Sequence, residues 1–207
     1  MLKGTVRPLW LVLLSFIWIA GCARLITPDT EPVIRTLEAG NYRIDPEHST
    51  LLFKVSHLGL SKVVGRFNRF DASLSFDPEH LALSSLDASV ETASIDLNNE
   101  RFEDQLRGDE WLNSERHPQA YFRTGSVRQV DEGTAVFSGE LTLLGVTAPV
   151  DLEISFNGGA FNMLTGRYTI GFSAKGQFQR SSFGMDRYIP AAGDQIELEI
   201  HAEFQRL

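Results

Sequence analysis

Residues His48–Phe67, HSTLLFKVSHLGLSKVVGRF, decide how this chain folds. Leu51, Phe53, Val55 and His57 fall on one face of an extended segment, with Thr50, Lys54 and Ser56 on the other, the period of two that marks a half-buried strand. Leu52 is the single apolar exception. Gly59 permits a turn within His57-Leu58-Gly59-Leu60-Ser61, and a second run from Lys62 to Phe76 alternates again at Phe70, Ala72, Leu74 and Phe76. The stretch therefore reads as one long hairpin with an apolar inner face, preceded by a short strand at Tyr42 to Asp45.

Downstream the same alternation recurs. Leu86, Ala88 and Val90 begin it, Ala120 and Phe122 open a strand ending near Val130, and Ala135 to Leu143 forms the next. Val150 to Phe156 follows, closed by Gly158-Gly159; Tyr168 to Phe178 and Ile196 to Phe204 complete the set. About eight antiparallel strands, each with one apolar and one polar face, must close around one interior as a barrel or sandwich. One segment departs from this pattern. Asn98 or Asn99 caps a helix with Glu100 and Glu103 in its first turn, Phe102 and Leu106 on its apolar stripe, and Arg107-Gly108 at its end. Trp111 and Leu112 extend the stripe, as expected of a helix covering a barrel end.

Ala72, Ala88, Ala135, Gly139, Ala174, Gly176 and Ala202 fall in inward register among Phe and Leu. Small residues there either leave a tunnel for one ligand or relieve crowding where strands bend, and the pattern alone admits both.

The first 21 residues stand apart. Lys3 and Arg7 precede an apolar run, Leu9 to Ile19, and Ile19-Ala20-Gly21-Cys22 follows, which reads as a secretory signal rather than a membrane span of about 20 apolar residues. The last four residues resemble a bacterial lipobox, which implies that Cys22, the only cysteine, is acylated and becomes the mature N-terminus. Ala23 after it resembles the pattern of lipoproteins sorted to the outer membrane. Residues 22–40 read as a tether and 41–207 as one domain. Without Met1 to Gly21 the chain keeps 17 Lys and Arg (19 less Lys3 and Arg7) against 27 Asp and Glu, a formal charge of −10 that excludes nucleic-acid binding.

The His48–Phe67 pattern, H-S-x-x-x-F-x-V-x-H-x-G-x-S-x-V-x-G-x-F, resembles the opening signature of the YceI-like polyisoprenoid-binding family of bacterial envelope proteins. Gly139 to Thr147 and Arg180-Ser181-Ser182-Phe183-Gly184 resemble further segments of that family. The resemblance implies an all-β, extended eight-stranded lipocalin-like barrel, one or two short helices over an opening, and a polyisoprenoid or similar long amphiphile in an apolar tunnel. The tunnel wall is then assigned to Phe53, Val55, Leu60, Phe67, Phe70, Leu74, Phe137, Leu141, Ile170, Phe172, Ala174 and Phe178. His57, Arg180 and Ser182 are candidates for the ligand's head group, the guanidinium because its planar fork of donors suits a phosphate. Against this, an inward histidine can equally be satisfied by backbone, and Arg180 can equally tie its loop to Asp186 or Asp194.

The histidines show no metal-ligand spacing, and no nucleophile elbow, phosphate loop or dinucleotide fingerprint is present. The expectation is a non-catalytic lipid carrier, store or sensor without a cofactor, anchored in the envelope and facing the periplasm, with a homodimer left open. An enzyme on an amphiphilic substrate would need a reactive group near His57 or Arg180, and a structural accessory protein would have a filled barrel.

Overall fold

The computed structural model describes Thr30 and residues 32–207; the signal segment and Cys22 lie outside the described residues. Ten strands are present among the described residues: β1 (Gly40–His57), β2 (Ser61–Phe67), β3 (Phe70–Phe76), β4 (Ser85–Glu91), β5 (Ile95–Asp96), β6 (Gln119–Gln129), β7 (Thr134–Leu143), β8 (Val146–Asn162), β9 (Arg167–Gln179) and β10 (Ala192–Arg206). Eight of them close a ring in the order β10-β9-β8-β7-β6-β4-β3-β1, sealed by antiparallel pairing of β1 with β10 from Tyr42↔Arg206 to His57↔Ala192. The expected closed eight-stranded antiparallel barrel is therefore present.

Strand β1 explains why ten strands make an eight-membered ring. Its first residues pair with β3, Gly40↔Phe76 to Arg43↔Ser73, whereas its second half pairs with β2, Leu51↔Phe67 to His57↔Ser61. The expected single hairpin is thus split at Asn68-Arg69, and the expected short strand at Tyr42 to Asp45 is the start of β1 itself. Register slips between Asp45 and Thr50, where Pro46 cannot donate to the ladder. Similarly, Gly158-Gly159 does not end β8: a bulge between Phe156 and Gly158 lets the strand continue to Asn162.

The expected helix is α1 (Glu100–Arg107). Asn99 is its N-cap, its Oδ1 accepting from Phe102 N at 3.2 Å, and Glu103 Oε1 accepts from the backbone N–H of both Leu97 and Asn99 at 2.9 Å. Its apolar side, including buried Leu106, caps one end of the barrel.

The other end is closed by the chain itself. A 3-10 turn at Ile34–Thr36 puts Ile34 and Leu37 into the barrel base, and Ile34 N donates to Glu132 O at 2.9 Å. These residues were expected in the tether; two apolar side chains flanking a single turn bind them to the core instead. The outer face carries paired charges such as Arg123–Asp87 (2.8 Å) and Arg43–Asp71, solvated and worth little to stability.

Candidate functional site

The interior has a solid half and a hollow half. At the base, Tyr42, Phe76, Phe156, Phe172 and Phe204 form a chain of ring contacts at 6.4, 5.5, 5.0 and 5.3 Å, mostly edge-to-face. The Tyr42 hydroxyl donates to Glu38 O at 2.6 Å, satisfying the one polar atom of the stack. Above Phe172 and Phe204 the interior opens into a cavity of about 310 Å³. Its wall comes from the inward faces of the ring strands, and its upper part from β2, β5, α1 and the loop after α1.

The cavity wall contains Phe53, Val55, Phe67, Phe70, Leu74, Phe137, Leu141, Phe172, Ala174 and Phe178, as expected from their register. Two residues expected in that wall are elsewhere. Leu60 is 86% exposed, because the turn between β1 and β2 projects beyond the barrel wall. Ile170 is wholly buried, but it belongs to the solid base, packed beside Gly159, rather than to the wall.

The small inward residues fall into two groups. Ala72, Ala88, Ala174 and Ala202 line the cavity. Gly139 and Gly176 do not: a Cβ on Gly139 would sit 2.4 Å from Arg123 O and 2.6 Å from the Phe122 ring, and one on Gly176 would sit 2.7 Å from Leu152 Cδ2. Crowding relief explains the glycines, and space for a ligand these four alanines, whereas Ala135, 1% exposed, belongs to the packed interior and not to the cavity wall.

The three head-group candidates are placed differently. His57 is exposed on the rim of the opening, because β1 passes out of the barrel wall as it enters its turn. Ser182 is exposed on the outside of its 3-10 turn. Arg180 does face the cavity, yet it is 2% exposed and its guanidinium is already engaged. Nε donates to Gly193 O (2.8 Å), Nη1 to Met185 O (2.6 Å), and Nη2 to Arg187 O (2.8 Å) and Ala192 O (2.9 Å). Four of its five N–H groups are thus spent on backbone carbonyls of the 185–193 loop.

Burial pushes the Arg180 guanidinium below its usual range, partly offset by Asp194 and Asp186. Its Cζ lies 5.4 Å from the Trp111 ring, which in turn stacks on Tyr188 at 6.0 Å. Asp194 is engaged by Ser181 rather than by Arg180. It accepts from Ser181 N at 2.9 Å and Ser181 Oγ at 2.8 Å, and these two bonds hold its carboxyl below the ordinary carboxylate range. The Arg180–Phe183 segment is a brace that joins the loop before β10 to the loop after α1.

Sequence reasoning missed the upper wall: Leu97, Phe102, Leu106, Trp111, Leu112 and Met185. The stripe of Phe102, Leu106, Trp111 and Leu112 carried the signal, since a cover's buried face is also the ceiling of whatever lies beneath it.

Among the described residues, Asp45, His48 and Glu203 bring potential metal ligands within 4.8 Å of one another. Asp45 is already committed, however, accepting from Glu47 N (3.1 Å) and Gln205 Nε2 (2.7 Å) and pairing with His48 Nδ1 (2.9 Å). These bonds tie down the β1 irregularity.

With this geometry established, comparison with known proteins is direct. The pattern of a YceI-like domain matches residues 42–204. A UPF0312 protein of Yersinia pestis (strain Pestoides F) is 36% identical over 167 residues, covering 80% of this chain and 86% of that protein. A Campylobacter jejuni YCEI protein superposes with a TM-score of 0.67 at 28% identity, over 74% of this chain and 91% of its own. A structure described as a polyisoprenoid binding domain from Saccharophagus degradans shares the fold at 11% identity, with a TM-score of 0.58 over 82% of this chain and 100% of that one. Spanning the barrel from the start of β1 to the end of β10, the match places this chain in the YceI-like family.

Proposed function

We propose that this protein binds a single long-chain amphiphile of the polyisoprenoid type, without catalysis, as a carrier, store or sensor in the bacterial envelope. The observation that carries this reading is the cavity: about 310 Å³ walled by Phe, Leu, Ile, Val and Ala side chains and floored by Phe172 and Phe204. That volume is at the lower end of the roughly 300–1,000 Å³ of ligand pockets. A wall of this chemistry selects apolar surface and gives a long hydrocarbon chain no directional polar contact to satisfy. The polyisoprenoid-binding description of a protein with the same fold points to the same ligand class.

A head group is then held at the rim or in solvent, because Arg180 is occupied by its own loop. Attachment to the periplasmic face of the outer membrane through acylated Cys22 completes the proposal, supported by the lipobox-like Ile19 to Cys22. Native mass spectrometry of the protein purified from its own host, followed by lipid extraction, tests the binding reading. One long-chain lipid per barrel is the expected result. A barrel that emerges empty and takes up no isoprenoid on titration contradicts it. Cys22→Ser should move the protein from the membrane to the soluble envelope fraction, and retention on membranes after a high-salt wash contradicts the anchor.

A further inference from the structure

The two ends of the barrel differ in where the chain arrives. The opening lies among the β1–β2 turn, the β7–β8 turn and the 180–191 loop, whereas the base gathers the β3–β4 loop, the β6–β7 turn, the β8–β9 turn and the incoming Pro32–Leu37 segment. Pro32 lies against Gly133 in the β6–β7 turn, so the chain reaches the domain at the base.

At that same end, β8 and β9 overhang the barrel. Strand β7 stops pairing with β8 at Thr134↔Ser155 and β10 stops pairing with β9 at Gln205↔Thr169, while β8 and β9 pair on to Asn162↔Arg167. The tip of this overhang displays Phe161 (61% exposed), Met163 (75%) and Leu164 (85%), and Val130 of the β6–β7 turn and Leu83 of the β3–β4 loop are also exposed at this end. The charges at this end are of both signs, Arg35, Arg128 and Arg167 with Glu79, Asp131 and Glu132, so attraction to a membrane here is apolar rather than electrostatic.

The chain that precedes Pro32 fixes what this tip meets. Nine residues lie between Cys22 and Pro32, and the ten residue-to-residue steps reach at most about 35 Å. The 15-residue β10 is about 50 Å long, or about 40 Å along the axis of a tilted barrel. A membrane that holds the chain at or before Cys22 therefore lies within easy reach of the base, and the tether is about as long as the barrel it would have to pass to bring the opening to the same surface.

We infer that the β8–β9 tip, with Phe161, Met163 and Leu164, is a bilayer-inserting finger that seats the barrel base-down on the membrane holding its N-terminus, with the opening turned away. The inference rests on the proposed membrane attachment. Exchange of ligand then occurs on the side facing away from that membrane, where Leu58, Leu60, Val146, Tyr188 and Ile189 are exposed apolar side chains around the opening. With three exposed side chains, the tip orients the anchored barrel and does not hold it on the membrane without the lipid at Cys22.

Amide hydrogen exchange of the full-length protein on phosphatidylethanolamine–phosphatidylglycerol vesicles, with flotation measured on the same sample, tests this. The expected result is flotation with slowed exchange at residues 160–167 and unchanged exchange at 57–61 and 186–191. Leu164→Asp, at a side chain free of packing, should keep flotation and lower the protection of the tip about tenfold. Flotation with protection at the opening, or with none at the tip, or with a Leu164→Asp tip still fully protected, overturns the inference and leaves the anchor standing. Failure to float at all overturns the anchor and the inference together.

Discussion

The lower and upper halves of this barrel are built from the same strands and the same inward alternation, yet one is packed and the other is empty. In the base, Tyr42, Phe76, Phe156, Phe172 and Phe204 meet ring to ring, and Ile34 and Leu37 close the floor from outside the ring. In the upper half the inward positions hold Ala72, Ala88 and Ala174, and β2, β5 and α1 splay outward to roof the space. Hydrophobic burial thus does two different jobs: below, it supplies stability, and above, it holds open a surface that a ligand can cover.

Substitutions should separate the two halves by their effect on stability. Phe156→Ala is expected to be the most damaging, because Phe156 is 2% exposed and bridges the rings of Phe76 and Phe172; the loss should be about 3–5 kcal/mol in denaturant unfolding. A cost below about 1 kcal/mol would mean that the base is as loose as the upper half.

Arg180→Met should come next. It removes the donors that serve four loop carbonyls while keeping an apolar stem, and it is expected to destabilise by about 2–3 kcal/mol and to loosen the 185–193 loop. Retention of phosphorylated and neutral isoprenoids should fall together, since the guanidinium braces the loop rather than the ligand. A selective loss of the phosphorylated ligand would restore Arg180 as a head-group donor.

Acid should act on the same brace more weakly. The folded-state affinity of Asp194 for a proton is depressed by its bonds from Ser181, so its contribution is fully present above the ordinary carboxylate pKa and is lost as pH falls through the lower, folded value. Below about pH 4 the 180–193 loop should exchange its amides faster in the wild type, and Asp194→Asn should already be loosened at neutral pH and respond less to acid. An equal acid response in both proteins would remove Asp194 from the account. The surface pair Lys54–Glu199, which holds the Glu199 carboxyl at about 2, faces the outside and should leave the cavity unaffected.

The inward face of the barrel is legible in the chain, its division into a packed base and a hollow upper half is not, and the exceptions have definite physical causes. The period of two at Leu51, Phe53 and Val55 and at Phe172, Ala174 and Phe178 reports which face is inward, so ten of the twelve proposed wall residues line the cavity. Alternation reports no position along the barrel axis, however, so it does not distinguish Ile170, inward but deep, or Leu60, in the turn beyond the wall, from a wall residue. Arg180 shows the limit for polar groups: a fork of donors in a loop has the same sequence signature whether its acceptors come from a ligand or from the backbone. The plug formed by Ile34 and Leu37 was hidden in a polar stretch too short for any period.

Ala174 tests the central claim most directly, because it lies in the wall between Phe172 and Phe178, in a strand flanked by Ile154 and Ile200. Ala174→Leu adds volume where the structure has space, so the variant should melt within about 1 kcal/mol of the wild type while isoprenoid binding, followed by titration of the delipidated protein, falls sharply. Unchanged binding together with a marked loss of melting temperature would contradict the account and show that the upper half of the barrel is filled.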